Sequence, residues 1–211
     1  MSGKLIVIDG GDGCGKTSLL KAVRGNFPSE NFVFTREPGG TGSVTAEKIR
    51  ELILDPTSKS ADPDTLFHLF WASRIEHIKS VIWPALKVGK NVFTDRFDSS
   101  TYAYQIVGEQ HFHLKSRSEE LRREYIEPLH PGYLFLDVDP KEGRRRALLN
   151  RGVEQNHFDQ REIEFYTRVG CGYYEFFTTF CSKGSAWLNA NEPLEKVIHN
   201  GFENIHSILN R

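Results

Sequence analysis

The stretch KLIVIDGGDGCGKT, residues 4–17, decides the fold. Its apolar part, residues 5–8, is typical of a buried strand, and it leads into a glycine-rich segment followed by Lys16 and Thr17. This segment matches G-x-x-x-x-G-K-[ST], in which backbone N–H groups and a helix N-terminus surround phosphate oxygens. The stretch therefore predicts a strand, a loop that binds a nucleoside triphosphate, and a helix. The alternative is an ordinary glycine-rich turn with a chance lysine.

Each part of the predicted loop has a role. The lysine reaches the outer phosphates, and the Thr17 hydroxyl ligates Mg²⁺. The residues predicted to bind the triphosphate are Gly10, Gly11, Asp12, Gly13, Cys14, Gly15, Lys16, Thr17 and Ser18.

Four further apolar runs follow, and longer segments of helical period separate them. The runs are NFVFTR at 31–36, NVFTD at 91–95, YLFLDV at 133–138 and SAWLNA at 185–190. Strands that alternate with helices predict a parallel sheet covered on both faces. We therefore expect an α/β protein of three layers: a five-stranded parallel sheet, helices on both faces, and one domain over residues 1–211.

Helix starts are also visible in the sequence. Asp62-Pro63 and Asp139-Pro140 each place a capping acid before a proline at the first helical position. Ser116 with Glu119 predicts a capping box.

Composition favours a small-molecule partner. The chain has 211 residues, 26% of them charged, and a net charge of −1, which indicates neither a nucleic-acid surface nor an acidic tail. No apolar run is long enough for a membrane span, so we expect a cytoplasmic protein without a membrane partner. Cys14, Cys171 and Cys181 lack metal-ligand spacing, so neither a disulfide nor a zinc site is expected.

Two arginine-bearing motifs indicate a second phosphate site. TREPGGTG at 35–42 and DRFDSSTYAYQ at 95–105 each follow a predicted strand, and ligands bind at the carboxyl ends of such strands. Between them, Phe70 and Arg74 lie one helical turn apart. A switch GTPase would carry a base-reading N-K-x-D, which this sequence lacks. The pattern thus favours a small-molecule kinase.

With these motifs the sequence resembles the thymidylate kinase family, from the phosphate loop to EFYTRVGCGYYE at 164–175. The resemblance implies the three-layer P-loop kinase fold. It also implies phosphoryl transfer from Mg-ATP to dTMP, giving ADP and dTDP, by an enzyme that is commonly a homodimer. It implies that Asp95 joins Thr17 in holding Mg²⁺. It also implies a dTMP site formed by Asp12, Arg36, Phe70, Arg74, Arg96, Ser100, Thr101, Tyr104 and Gln105.

The resemblance assigns roles within this site. Arg96, with Arg36 beside it, would bind the acceptor phosphate. Phe70 would stack on thymine while Arg74 donates to its carbonyl edge. Asp12 would contact the sugar 3′-hydroxyl, and Tyr104 would pack where a 2′-hydroxyl would clash; Ser100, Thr101 and Gln105 would line the base. Taken alone, Asp95-Arg96 could equally be a structural ion pair, and Phe70 a core residue. The turn at Glu37-Pro38 is expected to be cis.

Gly13 occupies a position where many members of this family carry an arginine. The sequence therefore resembles the group that supplies this cation from a lid, here at about 144–160. The candidates are Arg144, Arg145, Arg146 and Arg151. Arg151 aligns best, so we predict that Lys16, Asp95, Arg96 and Arg151 carry the catalysis; a solvated basic helix end is the alternative.

Two further expectations concern the lid. Residues 152–160 are predicted to form a mobile loop. Asn156-His157 stands where the family commonly has Asp-Arg. Two other functions stay open: a kinase of the same fold acting on another deoxynucleotide or on a nucleoside, and a regulatory module that binds nucleotide without turnover.

Overall fold

Parallel strands alternate with helices along the chain. The computed structural model describes residues 3–151, 162–181 and 184–210, without the side chains of residues 59, 150 and 151. The strands are β1 (Leu5–Gly10), β2 (Phe32–Arg36), β3 (Asn91–Asp95), β4 (Gly132–Asp137) and β5 (Ala186–Asn189). All five lie within one residue or two of the apolar runs in the sequence.

The α-helices are α1 (Lys16–Asn26), α2 (Val44–Leu54), α3 (Pro63–His77), α4 (Trp83–Lys87), α5 (Asp98–Thr101), α6 (Lys115–Tyr125), α7 (Pro140–Arg151), α8 (Ile163–Phe180) and α9 (Leu194–Leu209). A π-helical segment, Ile78–Ile82, joins α3 to α4, and a second, Tyr102–Gly108, continues α5. Among these helices, none combines the length and the apolar character that a membrane span requires.

The strand order explains where a ligand can bind. The order is β2-β3-β1-β4-β5 and every pair is parallel. The chain leaves β1 toward β2 on one side and leaves β3 toward β4 on the other, which opens a crevice at the carboxyl ends of these strands. Asp95 lies level with Ile8 on one neighbour and with Arg36 on the other. The predicted α/β fold is confirmed, and its motifs converge at this crevice.

The core lies in two layers because β1 alternates its side chains between the two faces of the sheet. Ile6 and Ile8 pack against α1 and α9, whereas Leu5 and Val7 face the layer of α3, α6 and α8. Helices therefore cover both faces, as predicted.

Two of the three predicted helix caps are present. The Asp62 carboxylate accepts from the backbone N–H groups of Asp64 and Thr65, and Asp139 caps α7 in the same way. The prediction of a capping box at Ser116 was wrong. A 3₁₀ turn, Phe112–Leu114, runs directly into α6, so Ser116 already lies inside the helix and lacks the extended backbone that an N-cap needs.

Candidate active site

The phosphate loop connects β1 to α1 with the geometry that anion binding requires. Gly13 and Gly15 adopt φ angles of 72° and 93°, a left-handed conformation that glycine takes without strain. The Lys16 ammonium donates to the carbonyl oxygens of Gly10 and Gly11, at 2.8 and 3.0 Å. The Thr17 side chain is exposed at the first turn of α1. The ammonium is thus held against the backbone of the loop, and the hydroxyl lies on the first turn of the helix that follows it.

A buried carboxylate, Asp9, organises the end of β1. Its side chain is fully buried and accepts from the backbone N–H of Gly10 at 2.8 Å. The hydroxyls of Ser99, Ser100 and Tyr173 also donate to it, at 2.6, 2.9 and 2.8 Å. Asp9 therefore ties the phosphate loop to the segment after β3 and to α8.

Arg96 lies between the phosphate loop and α5 and keeps its positive charge. Its φ of 66° is unusual for a residue with a side chain. Nη2 donates to Asp12 at 2.7 Å, and Nη1 lies 3.1 Å from Ser100 Oγ. Burial opposes the charge, but the neighbouring tyrosines and the carboxylates of Asp12 and Asp9 outweigh it, so the pKa of Arg96 is raised well above its usual range. The crevice thus presents a permanent cation.

A cavity of about 250 Å³ opens beside Arg96, at the carboxyl end of β3. Its lining includes Asp12, Phe70, Arg74, Arg96, Ser100, Thr101, Tyr104 and Gln105, all of them predicted from the sequence to bind one substrate. The lining also includes Glu37, Pro38, Arg50, Leu54, Leu66, Phe97 and Glu109. The Glu37–Pro38 peptide at its edge is cis, as predicted. Tertiary structure thus brings together residues from four distant motifs.

Three polar atoms of residues that line this cavity lack a hydrogen-bond partner within the described part of the chain: Arg74 Nη1, Gln105 Oε1 and the Tyr104 hydroxyl oxygen. Arg74 is 2% exposed; its Nε donates to Glu37 at 2.7 Å, and Nη2 donates to Thr101 and to the carbonyl of Phe97. Arg74 Nη1 and Gln105 Oε1 are buried with no such partner. An unpaired buried polar group is costly, so the cavity fits a ligand that supplies one acceptor and one donor.

Comparison with known proteins identifies the family. The family model "Thymidylate kinase" matches residues 8–200. Thymidylate kinase of Lactobacillus acidophilus is 33% identical over 94% of this chain and 91% of its own. That of Staphylococcus epidermidis is 37% identical over 97% and 98%. A crystal structure of thymidylate kinase from Ehrlichia chaffeensis has a TM-score of 0.71 at 25% identity, covering 98% of this chain and 100% of that one.

The chain belongs to the thymidylate kinase family. It is a kinase, and the predicted reaction, ATP-dependent phosphorylation of dTMP to dTDP, is confirmed. The resemblance noted in the sequence thus holds over nearly the whole chain.

One carboxylate of this thymidylate kinase site is suited to a metal. Asp95 lies at the end of β3, and its Oδ1 is buried without a partner among the described residues. In the same part of the chain, no group of three or more His, Cys, Asp or Glu side chains could hold a metal ion. Mg²⁺ usually keeps several waters and binds through one or two protein oxygens plus substrate phosphates. A single orphaned carboxylate oxygen at the end of β3 fits that mode of binding.

Arg36 stands apart from the other predicted dTMP-binding residues. It does not line the cavity; its Nη2 donates to Glu47 at 2.9 Å, and its side chain is 42% exposed. Arg50, which the sequence analysis missed, does line the cavity and donates to the carbonyl of Pro38. Burial, and after it the nearby Arg36, lower the pKa of Arg50, whereas the carboxylates of Glu47 and Asp95 oppose this shift.

Helix α7 carries the predicted lid arginines. Arg145 and Arg146 both donate to Glu142 at 2.7 Å, and these two bonds lower the pKa of Glu142 to about 2. The side chain of Arg151, the last residue of α7, lies outside the described part of the structure, as do residues 152–161 with the expected loop and Asn156-His157. The predicted role of Arg151 therefore stays a prediction.

Sequence reasoning missed two residues that support the site from behind, Asp9 and Tyr173, and one that also lines the cavity, Glu37. Asp9 was visible only as a lone acid ending an apolar strand, and Tyr173 only as one aromatic residue in an amphipathic helix. Glu37 stood in the REPGG motif, but its contact with Arg74 joins residues 37 apart. Such pairings follow from the fold, not from local sequence.

Proposed function

We propose that the described residues carry out dTMP phosphorylation as two facing sites, with ATP at the phosphate loop and dTMP in the cavity. Lys16 and the α1 N-terminus would hold the β- and γ-phosphates of ATP. Arg96 would hold the phosphate of dTMP in the crevice between them. Its raised pKa supports this role, because the guanidinium is charged throughout the range in which the acceptor phosphate is an anion.

The observation that carries the choice of base is the unpaired couple Arg74 Nη1 and Gln105 Oε1. Thymine offers a carbonyl that accepts at ring position 4 and an N–H that donates at position 3. Arg74 would donate to the carbonyl, and Gln105 would accept from the N–H. Cytosine presents an amino group and a bare nitrogen at these positions, so it would leave both protein atoms mismatched.

Other lining residues would position the nucleotide. Phe70 is half-buried on the cavity wall and would stack on the base. Tyr104 contacts Arg96 through its ring, with the guanidinium carbon 5.1 Å from the ring centroid, and would pack against the sugar. Asp12, which pairs with Arg96, would contact the 3′-hydroxyl. Arg36 would reach the acceptor phosphate only by leaving Glu47.

Phosphoryl transfer needs positioning and cations more than proton chemistry. The acceptor oxygen of dTMP is already anionic, so no strong general base is required. Thr17 and Asp95 would hold Mg²⁺, which would supply positive charge to neutralise the charge that develops on the phosphates. Arg151 would add a cation from the lid. The homodimer, the single-domain organisation, the cytoplasmic location and the lack of a nucleic-acid partner stay predictions.

A coupled assay of ADP release tests this proposal. The purified protein is given Mg-ATP with dTMP, dUMP, dCMP or dGMP, with thymidine, or with no acceptor. We expect fast turnover with dTMP, slower turnover with dUMP, and little with the others. Preference for another nucleotide or for thymidine would favour the same-fold alternative, and ATP binding without acceptor-dependent turnover would favour the regulatory module.

A further inference from the structure

A chain of buried polar groups runs behind the cavity from β2 to Arg74. Thr35 Oγ1 lies 2.8 Å from His77 Nε2, and His77 Nδ1 lies 3.1 Å from Glu37 Oε1. The other carboxylate oxygen of Glu37 accepts from Arg74 Nε at 2.7 Å. All four side chains are buried, and His77 is 0% exposed. Of the four, only Glu37 and Arg74 line the cavity.

The chemistry of the partners assigns the protons along this chain. The Glu37 carboxylate accepts from Arg74 on one oxygen, so His77 Nδ1 carries a proton and donates to the other. His77 Nε2 then shares a hydrogen bond with the Thr35 hydroxyl. Both imidazole nitrogens and both carboxylate oxygens of Glu37 are thus hydrogen-bonded, and the proton on Nδ1 is directed at Glu37.

Packing leaves His77 no freedom to turn. The loop after Glu37 lies on α3, where Ser73 Oγ accepts from the backbone N–H of Gly39 at 2.9 Å. A Cβ atom on Gly40 would lie only 2.4 Å from His77 Cδ2. The imidazole is therefore clamped between this loop and its own helix, and its Nδ1–H can point only toward Glu37.

We propose that His77 is a positioning residue for base selection. By orienting the Glu37 carboxylate, it holds the Arg74 guanidinium so that Nη1 stays directed at the base, and the preference for thymine over cytosine depends on it. This inference rests on the proposed role of Arg74 in reading the base. It adds His77 to the residues that determine base selection, although His77 does not line the cavity and contacts it only through Glu37.

Two substitutions separate the two nitrogens of His77. The amide N–H₂ of His77→Asn takes the place of Nδ1 and keeps the bond to Glu37. That of His77→Gln takes the place of Nε2, so this variant keeps a partner for Thr35 but loses the bond to Glu37. His68→Gln, an exposed histidine on the same helix, is the matched control. The readouts are the ratio of kcat/KM for dTMP and dCMP, the calorimetric Kd of dTMP, the KM of ATP, and the Tm.

We expect His77→Gln to reduce the dTMP to dCMP ratio and to weaken dTMP binding by about tenfold or more, because Glu37 loses a buried donor. His77→Asn and His68→Gln should keep the parental ratio. The KM of ATP should stay near the parental value in all three variants. The ATP phosphates would lie at the phosphate loop, and none of the hydrogen bonds from Thr35 to Arg74 involves that loop.

A parental ratio in His77→Gln overturns the proposal, and so does a reduced ratio in His77→Asn. A parallel rise in the KM of ATP with a lower Tm would show a merely structural role, which also overturns it. Arg74→Lys keeps a cation beside Glu37 but lacks Nη1, so it tests the role of Arg74 separately. If Arg74→Lys keeps the parental ratio, the proposal that Arg74 selects the base is wrong, independently of the results for the His77 variants.

Discussion

Gly13 of the phosphate loop and Gly143 of α7 meet backbone to backbone. A Cβ atom on Gly13 would lie 1.9 Å from the carbonyl oxygen of Gly143, and one on Gly143 would lie 2.6 Å from the carbonyl oxygen of Asp12. Neither position has room for a side chain. The start of the arginine-rich helix therefore rests directly on the loop, and an arginine at position 13 is sterically excluded unless α7 moves.

This contact predicts that Gly143→Ala impairs the use of ATP. The added methyl would push the backbone at Asp12 and displace the phosphate loop, and a misplacement of 1 Å can cost about 10²-fold in rate. We expect the KM of ATP to rise and kcat to fall by about tenfold or more, as measured in the ADP-release assay.

Gly25→Ala is the matched control for this substitution. Gly25 is exposed in α1, and nothing lies within 4 Å of the position of its Cβ. Alanine is favoured over glycine by about 1 kcal/mol in a helix interior and by less in the last turn, where Gly25 lies, so this variant should keep parental stability or slightly more, with parental kinetics. Parental kinetics in Gly143→Ala would show that the loop tolerates the shift.

Gln105→Met should weaken dTMP binding. Methionine fills a similar volume but offers no strong acceptor, so the N–H at thymine position 3 would be buried unpaired at a cost of about 1–3 kcal/mol. The Kd of dTMP, measured by calorimetry, should rise by about fivefold or more, and the KM of ATP should not change. Equal binding of dTMP by the variant and the parent would remove Gln105 from the reading of the base.

Arg151→Ala should lower kcat much more than it changes the KM of either nucleotide. The loss of a lid arginine that contacts the transition state but barely contacts the ground state lowers kcat and leaves KM nearly unchanged. We expect a fall of about tenfold or more, smaller than the ~10³ of arginine fingers elsewhere if a neighbouring arginine partly substitutes. Steady-state kinetics with both substrates varied measure it.

The control for the lid is Arg145→Ala. Arg145 is exposed and already paired with Glu142, so its loss should leave kcat near the parental value. Loss of turnover in Arg145→Ala, Arg146→Ala or Arg144→Ala, with Arg151→Ala near parental, would move the role to another residue of α7. Tolerance of alanine at all four positions would contradict a lid arginine altogether. Restoring a cation through Gly13→Arg is not a usable control, because Gly143 fills that space.

Asp9→Asn should destabilise the protein and slow the reaction together. Asp9 accepts from Gly10, Ser99, Ser100 and Tyr173, and an amide replaces one accepting oxygen by a donor that faces other donors. We expect a loss of about 1–3 kcal/mol in the free energy of unfolding, measured by denaturant titration. Ser99→Ala, which removes a single bond to Asp9, should cost about 1 kcal/mol and change kcat less. An equally stable Asp9→Asn would contradict the organising role of this carboxylate.

The three thiols should differ in reactivity. Cys171 is exposed, whereas Cys14 is 2% exposed in the phosphate loop. Burial raises the pKa of Cys181 to about 12, so its reactive thiolate is scarce at pH 8. We expect iodoacetamide at pH 8 to label Cys171 first, as read by peptide mass spectrometry. Labelling of Cys181 before Cys171 would contradict its burial.

The raised pKa of Cys181 also predicts the direction in which the stability of the fold changes at high pH. The folded chain keeps this thiol protonated above the pH at which the unfolded thiol, with an ordinary pKa near 9, loses its proton. Between about pH 9 and 12 the folded state therefore binds more protons, and stability falls as the pH rises. Cys181→Ser should reduce this dependence.

Local sequence determined the elements and the phosphate loop. Apolar runs with flanking glycines predict strands because backbone pairing and burial act over a few residues, and G-x-x-x-x-G-K-[ST] carries its whole geometry within residues 10–17. Asp62 and Asp139 predicted helix starts for the same reason, since a cap bonds to residues two or three positions on. Where the preceding segment was already helical, at Ser116, the local pattern failed.

Only tertiary structure decided how the site is supported. Asp9 contacts Tyr173, 164 residues away, and Glu37 contacts His77, 40 residues away. Gly13 contacts Gly143, 130 residues away, beyond the carboxyl ends of the neighbouring strands β1 and β4. These pairs carry no periodic or spaced signal, because each depends on which strands become neighbours and on how closely two backbones approach. The sequence by itself therefore predicted eight of the residues that line the cavity, whereas the strand order β2-β3-β1-β4-β5 selected the buried partners that hold them in place.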